Sequence, residues 1–139
     1  MWFYFALGSA FFAALTAIFA KIGIKNVDTN LAIAFRTVVI VILAWAIVFF
    51  RGGITAIGSL TKTNIIFLVL SGITTGLSWI FYFKALEKGN VSQVAPVDKL
   101  SLALTIIFSI IFLGETLSFK TAIGAGFVIT GVLILAFSR

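Results

Sequence analysis

The chain contains no cysteine and no histidine. That removes disulfides, thiol nucleophiles and the commonest metal ligands together. It also removes the side chain that most often acts as a general base near neutral pH. No nucleophile stands beside a base, no two carboxylates pair, and no glycine loop could cradle a phosphate. The expectation is a protein that is not an enzyme and holds no cofactor or metal. Charge is equally scarce. Only 10% of the 139 residues are Asp, Glu, Lys or Arg, against about 25% in a soluble domain. A water-facing surface cannot be built from so few charges. Proline occurs once, as Pro96.

What the chain has is apolar length. Hydrophobic residues make up 62% of it, and its mean hydropathy is +1.26. A hydrocarbon core about 30 Å thick is crossed by about 20 apolar helical residues. Five runs suit this, predicting helices over 2–24, 31–50, 64–86, 91–113 and 119–137. Lipid offers the backbone no hydrogen-bond partner, so spanning segments are helices or closed barrels. Barrel strands alternate apolar and polar residues, and these runs do not. The fold class expected is an all-α integral membrane protein, a five-transmembrane-helix bundle in one domain over 1–139. The first run lacks a basic leader and is too long for a signal-peptide core, so it reads as a membrane helix.

Punctuation agrees with these limits. Asp28 or Thr29 can cap the second helix, Thr61 or Thr63 the third, and Thr116 or Ser118 the fifth. Gly89 suits a C-terminal cap. The connection over 51–63 sets Ile54, Ile57 and Leu60 on one face, fit to lie at the membrane surface.

The net charge of +6 comes from ten Lys and Arg against four Asp and Glu. In a soluble protein this would suggest nucleic acid. Here the basic residues fall mostly at the ends of apolar runs, where they set topology and meet headgroups. No nucleic-acid partner is expected. Short connections make neighbouring helices antiparallel. Arg51, Lys62 and Lys120 then share one side; Lys21, Lys25, Arg36, Lys84, Lys88, Lys99 and Arg139 share the other. The positive-inside rule puts the richer side in the cytoplasm of a multi-pass cell-membrane protein, with the N-terminus outside and the C-terminus inside. Without the embedded Arg36 and Lys99 the bias narrows to three against five, weak enough to permit both orientations.

The embedded charges are the sharpest functional clue. Arg36 lies roughly 7 Å into the second run, and Asp98 and Lys99 lie roughly 11 Å into the fourth from the same side. A charge at such depth costs several kcal/mol unless it meets a partner or water. Two readings follow: Arg36 and Asp98 pair, with Lys99 snorkelling to the headgroups, or they line one aqueous vestibule. Asp98, Ser101, Thr105 and Ser109 follow a helical spacing, as do Ser71, Thr75, Ser78 and Tyr82. These stripes read as the wall of a polar pathway or as interhelical hydrogen bonding. Pro96 either interrupts its helix and frees carbonyls for a ligand, or marks the first turn. Trp79 offers a ring that can stack on a substrate cation or a flat ring, whereas Trp2 and Trp45 read as interface anchors. Gly72 with Gly76, and Ala122 with Gly126 and Thr130, form small-residue seams for packing within the chain or across an oligomer.

One stretch carries a resemblance. Phe81-Tyr82-Phe83-Lys84-Ala85-Leu86-Glu87-Lys88-Gly89 leads into Val94-Ala95-Pro96-Val97-Asp98-Lys99-Leu100. Ile111-Phe112-Leu113-Gly114-Glu115 and a glycine-bearing last helix follow. In order and spacing this resembles the EamA domain of the drug/metabolite transporter superfamily, in its small five-helix bacterial and archaeal form. The resemblance implies a secondary transporter that moves a small metabolite or drug-like molecule by alternating access. Relatives with ten helices hold two five-helix domains in inverted orientation, so this chain resembles one half of an inverted-repeat fold. The other half is then supplied by a homodimer, parallel or antiparallel, or by a heteromeric partner. The residues expected to line the substrate path, between the third and fourth helices and a second subunit, are Arg36, Trp79, Tyr82, Asp98, Lys99, Ser101 and Thr105. Asp98 is the candidate for carrying a proton or cation during coupling. The alternative is a non-transporting membrane scaffold or accessory subunit. Either way the partners include the lipid bilayer, and a transporter adds a small-molecule substrate.

Overall fold

A computed structural model describes residues 1–137. Its elements are α1 (Trp2–Gly23), α2 (Thr29–Phe50), a 3-10 helix (Gly53–Ser59), α3 (Lys62–Lys88), α4 (Val91–Asp98), α5 (Ser101–Leu113) and α6 (Phe119–Phe137). Five segments are long and apolar enough to cross a bilayer, with α4 and α5 together making the fourth. No strand occurs among the described residues. Arg139, assigned above to the cytoplasmic side, lies outside them.

Capping chemistry fixes several helix starts. Asp28 accepts the Leu31 amide at 2.9 Å, Thr61 the Asn64 amide at 3.2 Å, and Ser118 the Thr121 amide at 3.1 Å. Each satisfies an amide that has no partner inside its own helix. The left-handed glycines are Gly52 and Gly114, both at φ 68°. Asn26 also takes a left-handed conformation, φ 61°, between α1 and α2. Asparagine tolerates this better than most residues, because its short polar side chain can bond locally.

Very little of the apolar surface is covered by protein. Among the described residues, the buried apolar ones are Ala17, Ile24, Phe83, Leu86 and Val132. Phe12, Phe67 and Phe112 are each more than 60% exposed. In water such a surface would aggregate, and in a bilayer it is the contact with lipid tails. The chain is therefore a multi-pass membrane protein in a lipid environment.

The helices divide into two compact units. One is Ala20–Glu87; the other is Met1–Phe19 with the chain from Lys88 onward. In the Ala20–Glu87 unit, the end of α1 and the start of α2 meet the end of α3. The Lys21 ammonium donates to the Leu86 carbonyl, and the Thr29 hydroxyl donates to Glu87 Oε2 at 2.7 Å. A cation suits the orphan carbonyls that close a helix. Thr29, the first residue of α2, is 5% exposed, so its hydroxyl depends on this partner.

At its other end, α2 turns through Gly52 into the 3-10 helix, which packs back on it. Ile54 and Ile57 are three residues apart, one turn of this helix, and Leu60 follows as its extended C-terminal cap. Ile57 and Leu60 border an apolar groove of about 280 Å³ with Trp45 and Val48. In the second unit, α4 and α5 both pack on α6. A methyl added at Gly72, Gly76, Gly124 or Gly126 would meet no described atom within 4 Å beyond its chain neighbours and its own helix backbone. Room for a close approach is thus left at these four glycines among the described residues.

Candidate functional site

The Ala20–Glu87 unit holds one embedded charge. From the Thr29–Glu87 contact, seven residues along α2 lead to Arg36 and eight residues back along α3 lead to Trp79. At 1.5 Å per residue both lie about 10–12 Å from that contact, deeper than the sequence estimate because α2 starts at Thr29. The Arg36 guanidinium carbon sits 4.2 Å from the centroid of the Trp79 ring and 5.5 Å from that of Phe83. Trp79 and Phe83 are four residues apart and share a face of α3. Phe83 is 2% exposed and Arg36 half-buried. Tyr82 meets Phe83 edge-on, with ring centroids 6.3 Å apart.

Magnitudes show what this platform achieves. A cation over an aromatic face gains about 2 kcal/mol when desolvated. Holding an arginine at mid-membrane costs about 2.5–3.5 kcal/mol even on the mildest scale. The rings therefore offset only part of the cost. The unit's two carboxylates are committed elsewhere: Asp28 caps α2 and Glu87 takes Thr29. Arg36 has aromatic partners but no carboxylate partner in its unit. The Trp79 face, read from sequence as a seat for a substrate cation, already carries the protein's own cation.

The second unit holds the other embedded charges, at an interruption of the fourth span. Pro96 is the sixth residue of α4, so it does not mark the first turn. Without an N–H it leaves the Ser92 carbonyl with no helical donor. Two residues later the backbone tightens. The amides of Lys99, Leu100, Leu102 and Ala103 reach back three residues, to Pro96, Val97, Lys99 and Leu100, at 2.9–3.1 Å. Asp98 ends α4 and Ser101 starts α5, so the predicted stripe is split between two helices. Asp98 takes its neighbour, with Lys99 Nζ 3.2 Å from Oδ2, and the Lys99 side chain is 60% exposed. An exposed pair of this kind is a weak restraint.

Two of the stripe hydroxyls bond within their own helices. Thr75 donates to the Ser71 carbonyl at 2.8 Å and Ser109 to that of Ile106 at 3.0 Å, both within their own helices. Ser101 and Thr105 are exposed on α5. Sequence reasoning missed the Lys21–Leu86 and Thr29–Glu87 contacts and the part played by Phe83. One signal was available: Glu87 sits in the last turn of α3, where a carboxylate opposes the helix dipole and so calls for a partner. A cleft of about 850 Å³ opens beside it, lined in part by Lys21, Lys25, Asp28 and Glu87.

Five apolar spans, one of them interrupted and one carrying an arginine on an aromatic shelf, define a multi-pass membrane protein with polar groups at membrane depth. The pattern of the EamA-like transporter family matches residues 1–137, and the chain belongs to that family. It is similar to a Sinorhizobium sp protein named as an uncharacterized transporter in the cobO 3′ region, at 44% identity over 135 residues, covering 97% of this chain and 96% of that protein. An uncharacterized protein of Methanocaldococcus jannaschii is 32% identical over 73 residues, covering 52% of this chain and 53% of its own length. No solved structure matches the chain.

Proposed function

We propose that this protein is a secondary transporter that carries a small metabolite or drug-like molecule across the cell membrane by alternating access, working as a dimer. Membership of a transporter family supports the role. The observation that carries the mechanism is the interruption at Pro96–Ser101, where hydrogen bonding shifts from four-residue to three-residue spacing beside Asp98. Interrupted spans are the usual means by which helical transporters expose polar backbone to a substrate or ion. In this reading Arg36, Trp79 and Tyr82 in one unit, and Asp98, Lys99, Ser101 and Thr105 in the other, line the route. Asp98 exchanges a proton or cation during the cycle, because its Lys99 partner is loosely held.

A second copy, parallel or antiparallel, supplies the other half of the route. The small residues Gly72 and Gly76 support this, since a methyl at either would meet no neighbour within 4 Å among the described residues and such seams pack helices across membrane interfaces. The N-terminus outside and the C-terminus inside is the favoured orientation from the distribution of basic residues.

The test is flux. Purified protein in proteoliposomes is assayed against amino acids, sugar phosphates, polyamines, nucleosides and cationic drugs. At least one should move in a protein-dependent way, and Asp98→Asn should abolish or uncouple that movement. Absence of protein-dependent flux across the panel contradicts the proposal, and unchanged coupled flux in Asp98→Asn removes the role given to Asp98.

A further inference from the structure

Resting on the transporter reading, we propose that Arg36, seated on Trp79, is the anchor for an anionic group. The transported molecule then carries a carboxylate or phosphate and is not a cation. Three observations lead here. First, the Ala20–Glu87 unit carries Lys21, Lys25, Arg36, Arg51, Lys62 and Lys84 against only Asp28 and Glu87. Both carboxylates sit at the α1–α2 and α3 ends, and each already accepts a hydrogen bond. Second, a guanidinium lying on an aromatic face spends its π surface there and keeps its N–H fork in plane for oxygen acceptors. That fork matches carboxylate and phosphate oxygens two at a time. Arg36 makes ring contacts at 4.2 and 5.5 Å, and none of its N–H groups donates to an oxygen in its unit. Third, a cationic substrate approaching Trp79 would meet like charge, because the ring already holds Arg36.

Trp79 is thus a positioning residue that keeps the fork fixed while half-buried Arg36 meets the ligand. The same chemistry fits two sources, a soluble organic anion or inorganic phosphate, and the phosphate of a lipid headgroup. The substrate proposal commits to the soluble anion.

The experiment uses full-length protein in maltoside detergent, which carries no phosphate, with Trp2→Phe and Trp45→Phe so that Trp79 alone reports by fluorescence. The soluble probes are inorganic phosphate, succinate, glutamate and glucose 6-phosphate, with spermidine and tetraethylammonium as cations. Phosphatidylcholine vesicles with and without phosphatidylglycerol form the lipid arm. A saturable change in Trp79 emission is expected with at least one soluble anion and with neither cation. Affinity should fall by about tenfold or more in Arg36→Gln. In Arg36→Lys it should be partly kept, because charge remains without the fork. If Arg36→Gln does not fold, Arg36→Lys and Arg36→Met carry the comparison, read by the same Trp79 emission. A response confined to phosphatidylglycerol vesicles makes Arg36 a headgroup anchor and overturns the proposal. Saturable cation binding that survives Arg36→Gln also overturns it, as does the absence of any response to the soluble anions. Each of these leaves the transporter reading to be judged separately by flux in proteoliposomes.

Discussion

The guanidinium of Arg36 lies on the indole of Trp79, 4.2 Å from the ring centroid, one helical turn from the buried ring of Phe83. The contact joins α2 to α3 at membrane depth, so it should contribute to stability as well as to function. A double-mutant cycle with Arg36→Leu and Trp79→Leu, read by unfolding in detergent, should give a coupling of about 1–2 kcal/mol. Strict additivity of the two changes would show that the pair is not energetically linked.

A second prediction concerns Thr29 and Glu87. Thr29 is 5% exposed and gives its hydroxyl proton to Glu87 at 2.7 Å. Glu87→Ala leaves that hydroxyl without an acceptor, which costs about 1–3 kcal/mol. Glu87→Gln keeps an oxygen in place and should cost clearly less. Equal melting temperatures for the two variants would mean that the bond does not hold α2 to α3.

The interruption of the fourth span has a cause that can be removed. Pro96→Ala restores a donor for the Ser92 carbonyl and relieves the ring clash. The four-residue pattern should then extend through Lys99 and Leu100, slowing amide hydrogen exchange at both. Turnover should fall, because the polar backbone at the interruption is lost. Unchanged exchange at these amides would place the origin of the break outside Pro96.

The open seam on α3 gives a prediction about assembly. A methyl added at Gly76 finds no neighbour within 4 Å among the described residues, so Gly76→Leu should leave helix content and monomer folding intact. It should nonetheless weaken association between copies, read by cross-linking or by energy transfer between labelled chains in liposomes. Undiminished association would move the dimer contact to another face.

Much of the fold was legible because membrane physics leaves few options. Long apolar runs must be helices, and Asp28, Thr61 and Ser118 announce three of their starts by chemistry that acts within four residues. The interruption was partly legible: Pro96 predicts a missing hydrogen bond, but where the backbone tightens is set by α4 and α5 packing on α6. The site was less legible, for the same reason. Arg36 was recognisable as a costly embedded charge, yet its partner could not be read from sequence. Trp79 and Arg36 are far apart in the chain, and their meeting depends on the register of α2 against α3. That register is marked by Thr29 and Glu87, a hydroxyl and a carboxylate that look like ordinary helix-end residues in isolation. The Trp79 ring accordingly looked available for a ligand cation, with nothing in the sequence to show that Arg36 lies over it.

Transport requires that water reach the polar residues inside the membrane, and a sequence without cysteine makes this directly measurable. Single changes Ser78→Cys, Ser101→Cys and Thr105→Cys, with Phe112→Cys as a lipid-facing control, are treated in intact membranes with a charged maleimide too polar to enter lipid. Ser101→Cys and Thr105→Cys should be labelled, and faster when a transported molecule is cycling, while Phe112→Cys stays protected. Uniform protection at Ser78, Ser101 and Thr105 would mean a dry bundle, and the transport mechanism proposed for these residues would fall.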